Sequence, residues 1–536
     1  MSSSTPPPGP EGSGWEQLPP DQVWSHPVDA PPARSRGRIT RALVIVVALT
    51  VIVGGGAFAL IAADPFNLFK NGPQAAEAIP ADAEYYISVD LDPSAQQKIA
   101  ALRFLTHFPA FEGVSGVTNA KDDIRKTIFE KALEASGCDG VSFDKDVEPW
   151  LGNKFAFAGM PPANGETSAI PVVALEVSDE ATARVGLKKL STCDGSSPMF
   201  GIASEGDYLL LAETQKQADR YAGAAATASL ADDADYKADM AALGDLGVAT
   251  AWVDIDRTVA SAKPNAIIAN GVDLEALQTA YRRAAVTLRF ESNKAEIATA
   301  VYGNTPAVDH GDNQIVNLPD TTVLALSEAG GANRVKAAWS EFQDKIAGTD
   351  IEGGLRMFED QTGLSLPADL ETLLGDNIMF AVDSKGLTAS ALNAPNPSLI
   401  NAGVRLTGDK SGLLALYDQI DTLLREQVGA GNPFVKKETS DGLVVATNDS
   451  YADALAGNGG LGDSDAFTSV VSDAASQEFV LFFNFDQVED QILQAARSAG
   501  APSQVIDNLR PLQALAVTAN TEGSYLHASL VVSVND

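Results

Sequence analysis

The segment VSFDKDVEPWLGNKFAFA, residues 141–158, is written a second time as LSLPADLETLLGDNIMFA, residues 364–381. The two lie over one another without a gap, so that Asp146, Glu148, Leu151 and Gly152 meet Asp369, Glu371, Leu374 and Gly375. Matches continue in the same order on either side. IPADAEYYISV (79–89) meets LPDTTVLALSE (318–328), and GDYLLLAETQKQAD (206–219) meets DGLVVATNDSYAD (441–453). LADDADY (230–236) meets LGDSDAF (461–467), AWVDID (251–256) meets LFFNFD (481–486), and AAVTLRFE (284–291) meets LAVTANTE (515–522). One short match can be chance, whereas a collinear series implies an internal duplication. Two repeats are expected, residues 79–303 and 318–533.

Within each repeat the apolar pattern is mixed. Stretches of strand length with alternating apolar residues include 85–91, 154–160, 171–177, 207–213, 248–254, 284–290 and 295–302. The last two, separated by Glu291-Ser292-Asn293-Lys294, read as an antiparallel hairpin. Helical spacing lies between them at 93–107, 121–135, 179–190, 214–225 and 256–284. Strands in hairpins with intervening helices argue for the α+β class. The expected ectodomain is two tandem similar lobes, each a mainly antiparallel sheet with helices on one face.

Outside the repeats, residues 1–41 are rich in Pro, Gly and Ser without apolar periodicity, which predicts a disordered cytoplasmic tail. Residues 42–63 carry no charge and include LVIVVALTVIV at 43–53. As a helix they would reach ~33 Å, enough to cross a hydrocarbon core. Arg34, Arg36, Arg38 and Arg41 stand before this run, and the first base after it is Lys70. The positive-inside rule then predicts a single-pass plasma-membrane protein, anchored through 42–63, with a linker at 64–78 and residues 64–536 extracytoplasmic. A cleaved signal peptide ending near Ala57-Phe58-Ala59 fits less well, because the leader and the apolar run are both long for one.

The formal charge is −34. Four acids and four arginines cancel over residues 1–63, so the whole excess lies on residues 64–536. A surface this acidic repels phosphate backbones and excludes nucleic acid as a partner.

The sequence carries few motifs of recognisable chemistry. The four histidines, His26, His107, His310 and His527, have no ligand-pair spacing, so no metal site or cofactor is expected. Ser142-Phe143-Asp144-Lys145 spells S-x-x-K but lacks its partner motifs, and the second copy reads Ser365-Leu366-Pro367-Ala368. Asp90, Asp92, Asp254, Asp256, Asp232, Asp233 and Asp235 have no EF-hand spacing and suit helix caps. Asp146 with Glu148, and Asp369 with Glu371, are the duplicated carboxylate pairs, in a short helix expected to close at Gly152 or Gly375 in the left-handed conformation. No catalytic residue is assigned. Cys138 and Cys193, the only cysteines, are expected to form a disulfide. The first copy is longer between its opening strand and the shared block. Its surplus includes RFLTHFPAFEGV (103–114), where Phe104, Phe108 and Phe111 are the candidate binding residues.

The opening PADAEYYISVDLDPSAQQKIAALRFLTHFPAF (80–111), followed by DVEPWLGNKFAFAG (146–159), resembles a family of single-pass membrane-anchored extracytoplasmic proteins of high-GC Gram-positive bacteria, catalogued as a domain of unknown function. The resemblance implies topology and setting but no site. The function expected is that of a membrane-anchored envelope protein, a non-enzymatic binding or scaffold module for an envelope protein or cell-wall ligand. The alternative is an envelope hydrolase using a carboxylate pair.

Overall fold

The computed structural model describes residues 75–535 apart from 92–94, 112–124, 127–128, 131–139, 163–168, 193–199, 262–267, 270–271, 274–277, 279, 304–307, 389–390, 392–395 and 429–433. The tail at 1–41 and the expected span at 42–63 lie outside the described residues, and no described helix is long and apolar enough to cross a membrane. The single-pass topology and the plasma-membrane, extracytoplasmic location expected above are corrected on that finding. They rested on the length of one apolar run, which lies outside the described residues.

The strands of the first half are β1 (Tyr85–Asp90), β2 (Leu151–Met160), β3 (Ile170–Val177), β4 (Gly201–Glu205), β5 (Tyr208–Ala212), β6 (Ala249–Asp254), the two-residue pair β7 (Ile268–Ala269) and β8 (Val272–Asp273), β9 (Tyr281–Glu291) and β10 (Lys294–Gly303). Those of the second half are β11 (Thr322–Ala329), β12 (Asn377–Asp383), β13 (Ala402–Thr407), β14 (Val435–Glu438), β15 (Gly442–Ala446), β16 (Phe479–Asn484), β17 (Leu512–Glu522) and β18 (Tyr525–Val534). All but β7 and β8 join one antiparallel sheet in the order β14-β15-β13-β12-β11-β16-β17-β18-β10-β9-β6-β1-β2-β3-β5-β4.

Read inward from either edge, each half has the same strand order. The registers agree as well. Tyr86 lies opposite Ala158 and Trp252, and its sequence counterpart Ala325 lies opposite Ala381 and Phe482. At the middle β10 runs antiparallel to β18 with Ala298 opposite Ser529, each the counterpart of the other. A pseudo-two-fold axis therefore passes between those two residues.

Two expectations are corrected here. The halves are not lobes with separate sheets but one continuous sheet, joined through β10 and β18. Helices cover both faces, not one. On β5, Leu210 packs with Ala218, Tyr221 and Ala222 of the helix Gln215–Ala225, while Leu209 and Leu211 pack with Ala183 and Leu187 of the helix Glu180–Ser191. In the second half, Tyr451 and Leu455 of the helix Asp449–Ala456 cover one face and Leu413 of the helix Lys410–Val428 the other. Strands buried on both sides lose their alternation and read as continuous apolar runs, as in Tyr208-Leu209-Leu210-Leu211-Ala212, every residue of which is buried. Each fully buried Leu there contributes ~1.5–3 kcal/mol.

The free edges are protected. On β4 the Ile202 N–H donates to Gln215 Oε1 at 3.0 Å, and its carbonyl accepts from Gln215 Nε2 and Arg184 Nη1 at 2.8 and 3.2 Å. On β14 the sequence Lys436-Lys437-Glu438 places charge on the edge.

Candidate functional site

The residues singled out from sequence are mostly structural. Phe104 and Phe111 are buried in a core cluster with Val89, Val248 and Phe290, and half-buried Phe108 packs against it. Their rings fill the space between the helix Ala95–Thr106 and the sheet. Cys138 and Cys193 lie outside the described residues.

The duplicated acids act as local clamps. Asp146 Oδ2 accepts the Ser142 N–H at 2.9 Å and Oδ1 accepts from Lys189 Nζ at 2.7 Å; these bonds hold its carboxyl below the usual range. Asp369 accepts the Ser365 N–H in the same way. Gly152 is not a left-handed helix stop. It lies inside β2, and a Cβ there would meet Glu176 at 2.6 Å, because the Glu176 carboxylate accepts the N–H groups of Asn153 and Lys154 at 2.7 and 3.0 Å. Gly375 does have positive φ, +48°. The Ser142-to-Lys145 segment only begins the short helix Phe143–Asp146. Among the described residues no group of three or more His, Cys, Asp or Glu could hold a metal ion.

Glu84 and Asp254 come nearest to a catalytic carboxylate pair. Burial raises the pKa of both, and the charge of Asp254 adds to the rise at Glu84. However, Glu84 is only 2% exposed, and Asp254 is committed to Arg257, with Arg257 Nε 2.8 Å from Oδ2 and the Arg257 N–H donating to Oδ1 at 2.9 Å. Neither presents itself to a substrate.

The pseudo-two-fold axis directs attention elsewhere, to the two ends of the β10–β18 seam. At one end Asp239, fully buried in the helix Ala234–Leu243, accepts from Arg283 Nε at 2.8 Å, Arg283 Nη2 at 3.2 Å, Trp252 Nε1 at 2.8 Å and the Tyr525 hydroxyl at 2.8 Å. The Arg283 guanidinium lies 4.1 Å from the centre of the Tyr302 ring, which packs 5.3 Å from that of Tyr525. Burial, with the bond to Asp239, pushes the Tyr525 hydroxyl up to about 12. Tyr525 belongs to the second half, so this cluster stitches the halves together and seals that end of the seam.

At the other end the counterparts are small or apolar but for one lysine. Val470 stands for Asp239, Ala514 for Arg283, Phe482 for Trp252, Ser533 for Tyr302 and Lys294 for Tyr525. Ala514 and Val470 are buried in an apolar cluster with Phe482, whereas Ser533 and Lys294, in the places of the two tyrosines, line a cleft of about 680 Å³. The first half contributes Ile99 and Arg103 of the helix Ala95–Thr106 and the Glu291-to-Lys294 turn; the second contributes Thr468, Ser469, Gln513 and Ser533. Ser469 Oγ donates to Ser533 Oγ at 2.9 Å, and Ser533 to Gln513 Oε1 at 3.1 Å. Lys294 Nζ stands 3.2 Å from Glu291 Oε2. The volume falls in the ~300–1,000 Å³ range of small-molecule sites. Sequence reasoning missed these residues, although carrying the AAVTLRFE/LAVTANTE match through the following turn opposes Lys294 to Tyr525 and Tyr302 to Ser533.

Comparison with known proteins supplies a family and no site. The family model described as "Protein of unknown function (DUF3352)" matches residues 42–396. No curated protein matches the chain. A solved structure titled "Structure of crystal form I of TP0453" aligns with 45% of this chain and 83% of its own, at 9% identity and a TM-score of 0.23, a likeness too slight to bear on fold or function. The chain belongs to the DUF3352 family of proteins of unknown function.

Proposed function

We propose that this protein is a binding module without catalytic machinery of its own, and that its ligand is a small polar molecule held in the seam cleft. The observation that carries the reading is the asymmetry of the seam. Two ends that the duplication made equivalent differ, one sealed by Tyr302, Tyr525 and Arg283, the other open and lined from both halves. The lining also supports binding over turnover. Its carboxylate, Glu291, is paired with Lys294, so no second free acid stands opposite for acid–base work.

The test is a thermal-shift screen of the full chain against sugars, sugar acids, amino acids and short peptides, repeated on Thr468→Trp. Thr468 is exposed on the cleft wall, so the indole fills the cleft without entering the core. A ligand at a hundredfold excess over its Kd stabilises the native state by ~2.7 kcal/mol. The expected result is a hit that raises the melting temperature of the wild type, leaves that of Thr468→Trp unchanged and is recovered intact. Hits that stabilise both proteins equally, or that are chemically converted, overturn the reading.

A further inference from the structure

We infer that the ligand of the seam cleft is an anionic sugar, its carboxylate or phosphate held by Arg103 and Lys294 and its hydroxyls by the Ser469–Ser533–Gln513 chain. The inference rests on the cleft being the binding site. It begins from the hydrogen-bonding groups already in use.

Two acceptors of the lining are taken. Glu291 is bound by Lys294, and the Gln513 carboxamide oxygen accepts from Ser533. Two strong donors are left over. No described carboxylate or carbonyl takes up the Arg103 guanidinium, and no described group accepts from the Gln513 carboxamide nitrogen. A guanidinium offers five N–H donors in a planar fork that fits a carboxylate or phosphate edge, and charge-assisted bonds of this kind are roughly twice as strong as neutral ones. A cleft with surplus donors is complemented by a ligand rich in acceptors.

The sealed end shows what such a donor set receives. There the Tyr525 hydroxyl donates to a carboxylate that the chain itself supplies, Asp239. At the open end the residue in the place of Tyr525 is a cation, Lys294, and the residue in the place of Asp239 is Val470. The open end thus keeps the donor and lacks the buried anion; its own acid, Glu291, is exposed on the turn and pairs with Lys294. Net charge sharpens the argument. With −34 on the chain, an anion is repelled by most of the surface, but fields are screened beyond ~8 Å at physiological salt. An anion therefore settles only where cations outnumber acids, as Arg103 and Lys294 outnumber Glu291 in this lining. Hydroxyls on Thr468, Ser469 and Ser533 suit a polyhydroxylated body, and exposed Ile99 offers apolar surface to the C–H face of a sugar ring.

The test is calorimetric titration of the full chain with glucuronate, glucose 1-phosphate, glucose and inorganic phosphate, on the wild type, Arg103→Ala and Thr468→Trp. Glucuronate or glucose 1-phosphate should bind at least tenfold more tightly than glucose, lose tenfold or more in Arg103→Ala, weaken with added salt and fail on Thr468→Trp. Preference between the two assigns carboxylate or phosphate as the anion. Inorganic phosphate binding as tightly as either removes the sugar from the inference and overturns it. Glucose binding as well as glucuronate, with Arg103→Ala silent and Thr468→Trp blocking, overturns the anion and leaves the cleft standing. Absence of binding by all four also overturns the inference, and the screen described above then decides the cleft separately.

Discussion

Asp239 and Val470 occupy equivalent places in the duplicated fold, one inside an ion pair, the other inside an apolar cluster with Phe467, Phe482 and Ala514. The scaffold accepts either solution, which fits the general finding that a buried pair and a packed apolar group are nearly interchangeable, while half a pair is not. Asp239→Ala should therefore cost ~3–5 kcal/mol in urea unfolding, because it strands buried Arg283. The double variant Asp239→Leu with Arg283→Met should recover more than half of that loss, the remainder reflecting the Trp252 N–H and Tyr525 O–H left without an acceptor. A double variant no better than Asp239→Ala would show that the pair is specifically required. Asp90 makes a second residue-scale prediction. Its carboxyl is raised from 3.8 to about 6, chiefly by burial, with Lys154 at 3.9 Å opposing the rise. Since the folded protein holds this proton more tightly than the unfolded chain, stability attributable to Asp90 is greatest at low pH and falls as pH climbs from about 4 to about 6. The stability difference between wild type and Asp90→Asn should show that fall, by up to ~3 kcal/mol, and be flat above it. A flat difference across the whole range would refute the assignment.

Elements differ in how firmly they are held. The helix Ala234–Leu243 is capped by Asp233, which accepts the Tyr236 N–H at 2.9 Å and pairs with Arg257 at 2.9 Å. Its counterpart Ser464 caps the helix Asp465–Val470 through the Phe467 N–H, with no such arginine. Asp233→Ser should keep the cap and Asp233→Ala lose it, leaving Ala less stable than Ser by ~1 kcal/mol. Equal losses would mean that the Arg257 pair and not the cap matters. At the other extreme the helix Asp350–Thr362 buries no residue, and Ile351, Met357 and Phe358 are exposed. Little apolar burial means a low cost of local opening, so its amides should exchange with deuterium well before those of the helix Lys410–Val428, which inserts Leu413 and Leu416 into the core.

At the scale of the whole molecule, the seam is an antiparallel pairing between two strands that are copies of each other, centred on Ala298 and Ser529. Such a pairing is nearly self-complementary. Residues 75–303 alone would leave all of β10 as an exposed edge, which favours strand pairing with another chain. That fragment should therefore form a homodimer through β10, with Lys294 of one copy replacing Tyr525 beside Asp239 of the other. Light scattering would check it, and a monomer with an intact β10 would refute it.

How much of this was legible beforehand differs by feature. The duplication, the strand-bearing segments and the antiparallel hairpins were written locally, in collinear matches and in the two-residue turn after Glu291. The register that pairs Tyr86 with Ala158 and Ala325 with Ala381 follows from residues that the two copies align. Covering of both faces was present only as unbroken apolar runs, which resemble buried helix as much as buried strand. The fusion of the halves into one sheet had no local mark, because β10 and β18 are joined by backbone hydrogen bonds that any side chain permits. The aromatic cluster at 104–111 looked like a surface patch because sequence records the rings but not the Phe290 and Val89 that cover them. The cleft was decided last. Ser533 and Lys294 line it where Tyr302 and Tyr525 stand at the other end, and only pairing of β10 with β18 brings the distant members of each pair within reach of one another.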